Sequence, residues 1–408
     1  SGGGGVFPLL SVLVALVALG VSGFAYARPH QFQAAVHHAQ TRVLLLLDQF
    51  QTIGNAPQTF DCAQAEQFLT EYGPVKGFHV LCLKKTHQDT LSITAFKDGM
   101  QPDLHTETAL DMASFKLQLE TLLAIPQPQD ELVLKYKQPY AFFTPQGKRL
   151  ERLSEMANSV VFLFEGGQFI WPGIKIGHKT VVHNVTGKGK VVLETLSMVP
   201  LVFVVDDFLK DEEIDVILEL SLEHLKPSGV TLIDGHENRP ATDWRTSTTY
   251  FLPSHRHKMV QDIDKRTEDL VKVPMSHQED VQVLRYEEAQ KYDQHTDYFP
   301  VEHHRNSPDV LKMIDHGYKN RMITVFWYMS DVAKGGHTIF PRAGGKPQPP
   351  TMNDCTKGLK VPPRKRKVIV FYSMLPNGQG DPFSLHGGCP VEEGIKYSGN
   401  KWVWNKPL

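Results

Sequence analysis

The architecture follows most directly from Tyr292-Asp-Gln-His295-Thr-Asp297-Tyr-Phe299, together with His386 and Lys396 later in the chain. Alternate residues of a strand share a face, so the sequence predicts that His295 and Asp297 point the same way. His386, beside Gly387 and Gly388, then has to arrive from a separate strand. Two histidines and a carboxylate can hold iron(II) by one face and leave three adjacent positions open.

The His-x-Asp spacing is a weak signal by itself, because the chain contains 19 histidines and chance produces such triplets. Three other places have a similar spacing, and we interpret them as unrelated to a metal: His87-Gln-Asp89, His105-Thr-Glu107 and His277-Gln-Glu279. The distinction rests on context. His295 lies in an aromatic-rich segment, and the His386-Gly-Gly-Cys-Pro segment is followed by a lysine at a set distance.

A strand through Lys396 would place Lys396, Ser398, Asn400 and Trp402 on one face, so Lys396 and Trp402 should face the same cavity. A buried ammonium group requires an anionic partner. A dicarboxylate cosubstrate is one such partner. Taken singly, His386 is equally well a turn histidine, Lys396 a surface lysine and Trp402 a core residue; their order and spacing favour a site.

Short apolar runs dominate the C-terminal half and are separated by Gly- and Pro-rich turns, a pattern typical of an antiparallel sandwich or jelly roll. The predicted strands are 201–205, 281–286, 322–329, 368–372 and 397–403, and an acidic first turn at 206–213 predicts a helix. The segments 300–320 and 344–367 are predicted to be long connections.

The N-terminal half predicts a small α+β domain of unknown role, with a helix over 32–51 and strands at 78–83, 91–96, 159–164 and 180–183. The fold class is therefore α+β, and three segments are expected: a hydrophobic segment (1–27), an N-terminal α+β domain (28–195) and a C-terminal domain (196–408). Residues 6–27 carry no charge and are long enough to cross a bilayer. A signal anchor is favoured over a signal peptide cleaved after Ala27, and the choice stays open.

The composition argues against one class of function, the binding of nucleic acid. A net charge of -2 gives no electrostatic footprint for that partner. The basic run Arg364-Lys-Arg-Lys367 is the local exception, and we interpret it as a solvated turn rather than a nuclear address or polyanion patch. Four cysteines fit an oxidising lumen. One disulfide in each half, Cys62–Cys82 and Cys355–Cys389, is the simplest pairing, and Asn184-Val-Thr186 is a candidate glycosylation site.

Residues 200–404 resemble the catalytic domain of the prolyl 4-hydroxylases, which use Fe(II), 2-oxoglutarate and O2 on a double-stranded β-helix. The segments that carry the resemblance are Val283-Leu-Arg-Tyr286, Gln290 to Phe299, Arg321 to Tyr328, Gly335-Gly-His-Thr338-Ile-Phe-Pro341, Leu385-His386-Gly-Gly-Cys389-Pro-Val391, Gly394-Ile-Lys396 and Lys401-Trp402. Two departures stand out: Ala289 replaces a usual glycine, with little expected consequence, and the loop after Phe299 looks enlarged.

The resemblance implies a role for each site residue. His295, Asp297 and His386 would ligate iron, and Lys396 would bind the distal carboxylate of 2-oxoglutarate with help from Tyr286 and Thr338. Glu279, Tyr292 and Arg321 would line a peptide groove. Trp402, the predicted catalytic residue, would flank the reaction centre. Cys355 and Cys389 match a family disulfide near the iron, and ascorbate is an expected further cofactor.

The implied activity is 4-hydroxylation of peptidyl proline by a procollagen-proline 4-dioxygenase-like enzyme. Two alternatives stay open: hydroxylation of another residue such as lysine, although such relatives generally carry arginine where Lys396 stands, and a non-catalytic membrane-tethered scaffold. The strand-rich N-terminal half favours proline-rich, hydroxyproline-glycoprotein-like substrates over collagen. The expected location is the lumen of the endoplasmic reticulum or Golgi, as a single-pass type II membrane protein; the oligomeric state is not predicted.

Overall fold

A computed structural model describes residues 60–86, 88, 90–126, 140–236 and 239–408. Asp61–Leu408 form one compact unit. The predicted helix at 32–51, the hydrophobic segment at 1–27 and the His87/Asp89 pair lie outside the described residues. Within the described part of the chain, no helix has the length and apolar character needed to cross a membrane.

The described residues form 21 strands, which are mostly short. They are β1 (Phe78–Lys85), β2 (Thr90–Phe96), β3 (Asp103–Ala109), β4 (Ala141–Phe143), β5 (Arg149–Leu150), β6 (Ser159–Phe164), β7 (Lys179–Val185), β8 (Gly189–Met198), β9 (Leu201–Val205), β10 (Lys226–Pro227), β11 (Thr248–Leu252), β12 (Val281–Tyr286), β13 (Tyr292–His295), β14 (Arg321–Tyr328), β15 (Lys334–Gly335), β16 (Thr338–Phe340), β17 (Leu359–Val361), β18 (Val368–Tyr372), β19 (His386–Gly388), β20 (Val391–Glu393) and β21 (Lys396–Trp404).

Helices connect these strands at a few places. The α-helices are α1 (Ala63–Glu66), α2 (Met112–Leu123), α3 (Leu153–Met156), α4 (Asp211–Glu219), α5 (Lys258–Val271) and α6 (Pro308–Met313). Short 3-10 helices occur at Lys97–Gly99, Leu222–His224, Ala241–Asp243, Ser254–Arg256, Met275–His277, Val301–His303, Asp315–Gly317 and Pro382–Ser384.

The N-terminal sheet has the strand order β3-β2-β1-β6-β4-β5, and α2 covers one of its faces. The helix buries Phe115, Leu119 and Leu123, which recur every four residues and so form one stripe. Asp111 begins the helix by accepting a hydrogen bond from the Ser114 amide, a favourable N-cap. The Cys62–Cys82 disulfide ties the segment containing α1 to β1.

The C-terminal half contains a nine-stranded sheet of order β10-β11-β12-β21-β14-β18-β9-β8-β7 and a four-stranded sheet of order β13-β19-β16-β17. A buried cluster lies between them, with Leu284, Tyr328 and Phe371 from the larger sheet and Phe340 and Val361 from the smaller. The two sheets therefore pack face to face as a sandwich. The architecture is a mixed helix-and-sheet chain with a sheet-rich C-terminal half.

The predicted elements correspond to observed ones wherever the hydrophobic pattern was continuous. Each predicted strand within the described residues has an observed counterpart, as at β1, β9, β12 and β18, and α4 follows the acidic turn. The structure adds α5, β3 and β8, which were not predicted. Strand β8 crosses the predicted boundary at 195/196 and pairs with β9, so this hairpin belongs to the same sheet as the C-terminal strands; the division into domains stays a prediction.

Candidate metal centre

The small sheet brings the two predicted histidines together from separate strands. His295 ends β13 and His386 begins β19, and the two residues are direct partners in the antiparallel pair. The turn before β19 is fixed by Asp381, whose Oδ1 accepts the Phe383 amide and whose backbone carbonyl accepts the Ser384 amide and hydroxyl. Local backbone structure thus delivers both imidazoles to one face.

The side chains of His295, Asp297 and His386 offer three ligand atoms that all lie within 4.8 Å of one another. His295 Nε2 is 3.8 Å from Asp297 Oδ1, and His386 Nε2 is 3.5 Å from Asp297 Oδ2. Among the described residues, this is the one cluster of three or more such groups close enough to hold a metal ion. Two imidazole nitrogens and a carboxylate are a donor set that suits iron(II).

The orientation of both rings is set by the backbone. His295 Nδ1 lies 2.8 Å from the Asp293 carbonyl, and His386 Nδ1 lies 2.9 Å from the Ser384 carbonyl. A carbonyl only accepts, so each Nδ1 carries the proton and donates it. Each Nε2 lone pair is then free for a metal, and the hydrogen bond at the other nitrogen makes it a better ligand.

The electrostatics favour a neutral His295 beside an ionised Asp297 carboxylate. Burial and the charge of neighbouring His386 lower the pKa of His295 to about 3. Burial alone would raise the pKa of Asp297, but the charges of His386, His295 and Arg321 and a hydrogen bond from Thr324 hold it below its ordinary value. Metal ligands must be deprotonated, so these shifts fit the donor set to a cation.

The expectation that Asp297 lies in the same strand as His295 is wrong. Strand β13 ends at His295, and Asp297 reaches the cluster from the bend that follows. Its carboxylate is fixed instead by Thr324 of β14, whose buried hydroxyl donates to Asp297 Oδ2 at 2.6 Å. Thr324 was not predicted as a site residue, although it lies opposite Trp402 in the β14–β21 pairing, on the face that lines the site.

Lys396 begins β21 and lies inside the sandwich, with 2% of its surface exposed. Its Nζ is 5.4 Å from the ring centre of Tyr286, 5.3 Å from Phe326 and 5.7 Å from Tyr328. Burial lowers its pKa to about 7, and no carboxylate of the described residues forms an ion pair with it. A buried ammonium without an anion is unstable, so this pocket suits an anionic ligand.

Three residues with hydroxyl groups lie at the same pocket. Tyr328 donates to Thr338 Oγ1 at 2.7 Å, and burial raises the pKa of the Tyr328 phenol well above its ordinary value. Tyr286 is the direct strand partner of Lys396. Thr338 and Tyr286 were predicted for this pocket; Tyr328 was not, although Thr324, Phe326 and Tyr328 alternate along β14 and so share a face.

A second group of predicted residues lies along the ends of β14 and β21. Arg321 donates two hydrogen bonds to Glu279, at 2.6 Å from Nε and 2.9 Å from Nη2. Its guanidinium centre is 3.5 Å from the Trp402 ring centre. Trp404 Nε1 donates to the same Glu279 at 2.6 Å. Trp404 was missed, although counting in twos from Lys396 through Trp402 reaches it next.

Tyr292, the third predicted groove residue, lies beside the metal cluster. Its ring stacks on His295, with centres 3.7 Å apart, and burial raises its pKa to about 12. The centre of the Arg245 guanidinium lies 4.5 Å from the Tyr292 ring centre. Arg245 is buried and was not predicted; it lies in no motif that would have identified it.

The long connection 344–367 crosses β13 and is fixed by a disulfide. The Gln294 amide donates to the Met352 carbonyl, and Gln294 Nε2 donates to the Asp354 carbonyl, each at 2.7 Å. The Cys355–Cys389 disulfide attaches this connection to the segment after β19. Both disulfides considered from the sequence are therefore present in the structure.

The features interpreted as unrelated to a metal lie outside the cluster. His105 is exposed and contacts Asp103, and His277 contacts Ser276.

The basic run at 364–367 is matched by nearby acids: Lys365 and Arg366 contact Asp211, and Lys367 contacts Asp206. Paired charges of this kind are what a solvated turn predicts, whereas a polyanion patch needs free cations.

Comparison with known proteins gives matches over the same region. Residues 281–404 match the 2OG-Fe(II) oxygenase superfamily. Probable prolyl 4-hydroxylase 3 of Arabidopsis thaliana is 38% identical over 216 residues, covering 52% of this chain and 71% of the relative. Prolyl 4-hydroxylase 2 of the same plant is 37% identical over 218 residues, covering 52% and 69%. A viral collagen prolyl hydroxylase structure from Paramecium Bursaria Chlorella virus-1 covers 50% of this chain and 95% of its own, with a TM-score of 0.35 and 23% identity.

Proposed function

This chain belongs to the prolyl 4-hydroxylase family of 2-oxoglutarate- and iron(II)-dependent oxygenases, and from that membership we propose that it 4-hydroxylates proline residues in proline-rich peptides. The family makes it an oxidoreductase that uses Fe(II) and 2-oxoglutarate and acts on a peptide. The single observation that supports the assignment best is the cluster of His295, Asp297 and His386 in the same sandwich as the unpaired ammonium of Lys396.

We assign the iron-binding role to His295, Asp297 and His386. Iron(II) bound there would couple the oxidative decarboxylation of 2-oxoglutarate to hydroxylation of the substrate, which is chemistry of the metal rather than of the protein. The protein turns both Nε2 atoms toward the cluster by holding each Nδ1 on a backbone carbonyl, and it orients Asp297 through Thr324.

Lys396 is proposed to bind the distal carboxylate of 2-oxoglutarate. A charge-assisted hydrogen bond from a buried ammonium is about twice as strong as a neutral one, and the apolar rings around Lys396 exclude competing water. The hydroxyl groups of Thr338 and Tyr286 are proposed to donate to the same carboxylate, and Tyr328 orients the Thr338 hydroxyl by donating a hydrogen bond to it. Ascorbate is proposed as the reductant that keeps the iron ferrous.

The peptide is proposed to lie along the groove formed by Glu279, Arg321 and Tyr292, with Trp402 beside the reaction centre. The Arg321 guanidinium lies over the Phe299 and Trp402 rings, and the Phe299 ring stacks on Trp404. This aromatic row is buried, so it would support the groove from beneath rather than form its surface. The proline substrate is proposed from the family membership.

The finer features of the architecture are also proposals. The two packed sheets of the C-terminal half support a double-stranded β-helix over residues 196–408, preceded by an α+β domain over 28–195. Residues 1–27 are proposed to anchor the chain in the membrane, with the catalytic half in the lumen of the endoplasmic reticulum or Golgi. Asn184 is exposed in β7, which supports its glycosylation; a mobility shift lost in Asn184→Gln on secretory expression would test that.

Mass spectrometry of two peptide substrates tests the substrate class. Purified protein with Fe(II), 2-oxoglutarate and ascorbate is incubated with poly(L-proline) and with a Pro-Pro-Gly repeat. We expect 4-hydroxyproline in poly(L-proline), formed at least about tenfold more efficiently than in the repeat, a margin of about 1.4 kcal/mol. A preference for the Pro-Pro-Gly repeat would contradict the proposed class, and hydroxylation of lysine alone would overturn the assignment to proline.

A further inference from the structure

The segment after β6 of the N-terminal sheet is hydrogen-bonded to the C-terminal half at four places. Gly166 N donates to the Pro376 carbonyl at 2.7 Å, and Trp171 Nε1 donates to the Leu270 carbonyl at 2.7 Å. Trp171 N donates to the Tyr372 hydroxyl at 3.2 Å. Gln168 Nε2 donates to the Asn405 carbonyl at 2.8 Å. Of these four hydrogen bonds, only the one from Gln168 is made at the end of β21, which borders the proposed peptide groove.

Asn405 follows β21 directly and is paired with Asn320, which precedes β14. The Asn405 amide donates to the Asn320 carbonyl at 3.0 Å, and the Asn320 amide donates to Asn405 Oδ1 at 2.8 Å. Asn405 is 2% exposed and Asn320 is 6% exposed. Two reciprocal hydrogen bonds between buried groups hold these two strand ends at a fixed separation.

The side chain of Asn320 then acts as a strand partner for Phe299. Its Oδ1 accepts the Phe299 amide at 2.9 Å, and its Nδ2 donates to the Phe299 carbonyl at 2.9 Å. The same Oδ1 accepts the Arg321 amide at 3.0 Å. One buried carboxamide therefore fixes the backbone of two groove residues at once.

Phe299 connects this hydrogen-bond network to the residues around the reaction centre. It lies two residues after Asp297, its ring stacks on Trp404 with centres 6.3 Å apart, and the Arg321 guanidinium is 5.2 Å from it. A shift of Phe299 would move the aromatic row, whereas the Asp297 carboxylate is held separately by the Thr324 hydroxyl. Small displacements of positioning residues have large effects on catalysis.

We propose that Gln168, Asn405 and Asn320 form a positioning chain, the amide chain, through which the N-terminal sheet sets the geometry of the peptide groove. This inference rests on the proposed function, because it treats the groove as the peptide-binding surface. It gives the N-terminal sheet a role within the catalytic unit: these three residues hold Phe299 and Arg321 where a peptide contacts them, and they do not themselves contact the reacting atoms.

The test removes the first hydrogen bond of the amide chain and keeps the length of the side chain at position 168. Gln168→Met has nearly the same length as glutamine and no donor, so the Asn405 carbonyl loses its partner. We expect KM for a proline peptide to rise about three- to tenfold, the range for one lost hydrogen bond. Decarboxylation of 2-oxoglutarate without peptide should stay within about twofold, because Lys396 and the metal cluster are not contacted.

A matched control removes a different hydrogen bond of the same segment. Tyr372→Phe deletes the hydroxyl that accepts Trp171 N and leaves the amide chain intact. Both variants lose one contact between the same two parts of the molecule, so a general loosening would affect them equally. We expect the KM for peptide of Tyr372→Phe to stay within about twofold of the wild type, since its ring stays packed.

Hydrogen exchange supplies a readout that does not depend on activity. The amides of Phe299 and Arg321, both bonded to Asn320, should exchange faster in Gln168→Met than in the wild type, and at the wild-type rate in Tyr372→Phe. An unchanged KM and unchanged exchange in Gln168→Met, or equal changes in both variants, would overturn the amide chain. A wild-type protein that hydroxylates no proline peptide would overturn the proposed function instead, and the exchange rates would still decide on the amide chain.

Discussion

Two buried lysines on one strand show how environment separates a structural residue from a binding residue. Lys401 is 1% exposed and its Nζ lies 2.6 Å from Asp264 Oδ1. Lys396, five residues earlier on β21, is as deeply buried, but its ammonium group lies among aromatic rings and forms no ion pair with a carboxylate of the described residues. Desolvation destabilises both charges, and of the two lysines Lys401 is the one with a described anion to offset it.

Replacing each lysine by methionine should therefore change the free energy of unfolding in opposite directions at the two positions. Lys396→Met removes an unpaired buried charge, so we expect it to stabilise the ligand-free protein by about 1–4 kcal/mol at pH 6. Lys401→Met leaves Asp264 buried without a partner and should destabilise it by about 3–5 kcal/mol. Urea denaturation of the two variants measures this; destabilisation by both would show that Lys396 has an internal partner.

The depressed pKa of Lys396 also predicts a pH dependence. The unfolded chain keeps this lysine protonated up to its ordinary pKa of 10.5, whereas the folded chain loses the proton near pH 7. The unfolded state binds more protons between pH 7 and 10.5, so stability rises with pH in that window. Affinity for 2-oxoglutarate needs the charged form and should fall above pH 7. Isothermal titration at pH 6.5 and 8.5 measures it, with no such fall expected in Lys396→Arg.

Thr324 should act on the metal through Asp297. Thr324→Val keeps the shape of the side chain and removes the 2.6 Å hydrogen bond to Asp297 Oδ2. Loss of such an outer contact typically weakens metal binding by about 10- to 100-fold. Anaerobic titration with Fe(II) measures the affinity. Thr248→Val, a threonine of β11 without a contact to the cluster, is a suitable control, and equal affinities for all three proteins would contradict the role of Thr324.

At the scale of elements, the small sheet and the connection that crosses it determine where the metal ligands lie. Strand β19 carries His386 and pairs with both β13 and β16, and the Cys355–Cys389 disulfide attaches the crossing connection immediately after it. The other disulfide, Cys62–Cys82, lies in the N-terminal sheet and has no such link. The two bonds should therefore differ in their functional effect.

Removing each disulfide separately tests that difference. The double substitutions Cys355→Ser/Cys389→Ser and Cys62→Ser/Cys82→Ser should each lower the free energy of unfolding by about 2–4 kcal/mol. We expect only the first pair to weaken Fe(II) binding, because it alone frees the segment beside His386. Urea denaturation and metal titration on the same samples measure both effects, and equal metal affinities in the two double variants would argue against this account.

An apolar pattern identifies where an element lies, but not which polar residues the element buries. Helix α5 was not predicted, although Val260, Ile263, Leu270 and Val271 recur at helical spacing. Its apolar pattern does not show that Asp264, Arg266 and Thr267 are buried as well. These side chains find partners far away in sequence: Arg266 pairs with Glu213, and Asp264 pairs with Lys401. Such pairings depend on tertiary structure, which local patterns do not contain.

The same limit applies to the site. Spacing and resemblance were enough to name His295, Asp297, His386 and Lys396, and the structure brings the first three together. The mistaken placement of Asp297 in β13 arose because a strand pattern cannot show where hydrogen bonding stops. Thr324 and Tyr328 become recognisable only once the β14–β21 register places them opposite Trp402 and Ser398. Ala289 adopts a left-handed backbone with φ 65°, which explains why glycine is usual there.

At the scale of the whole molecule, the N-terminal sheet and the sandwich belong to one compact unit. The nine-stranded sheet continues through β9 into the β7–β8 hairpin, and the segment 166–171 adds four hydrogen bonds to the C-terminal half. A peptide groove built this way is positioned by residues distant in sequence. The metal cluster, the lysine pocket and the groove then act together, because each depends on β14 and β21.

The central claim is that this arrangement hydroxylates peptidyl proline with iron held by His295, Asp297 and His386. The most direct test follows 4-hydroxyproline and succinate together after incubation of poly(L-proline) with 2-oxoglutarate, O2 and Fe(II). We expect equimolar products from the wild-type protein and a loss of at least about 1000-fold, or about 4 kcal/mol, in folded His295→Ala. Hydroxyproline formed at the wild-type rate by His295→Ala, or none formed by metal-loaded wild-type protein, would contradict the account.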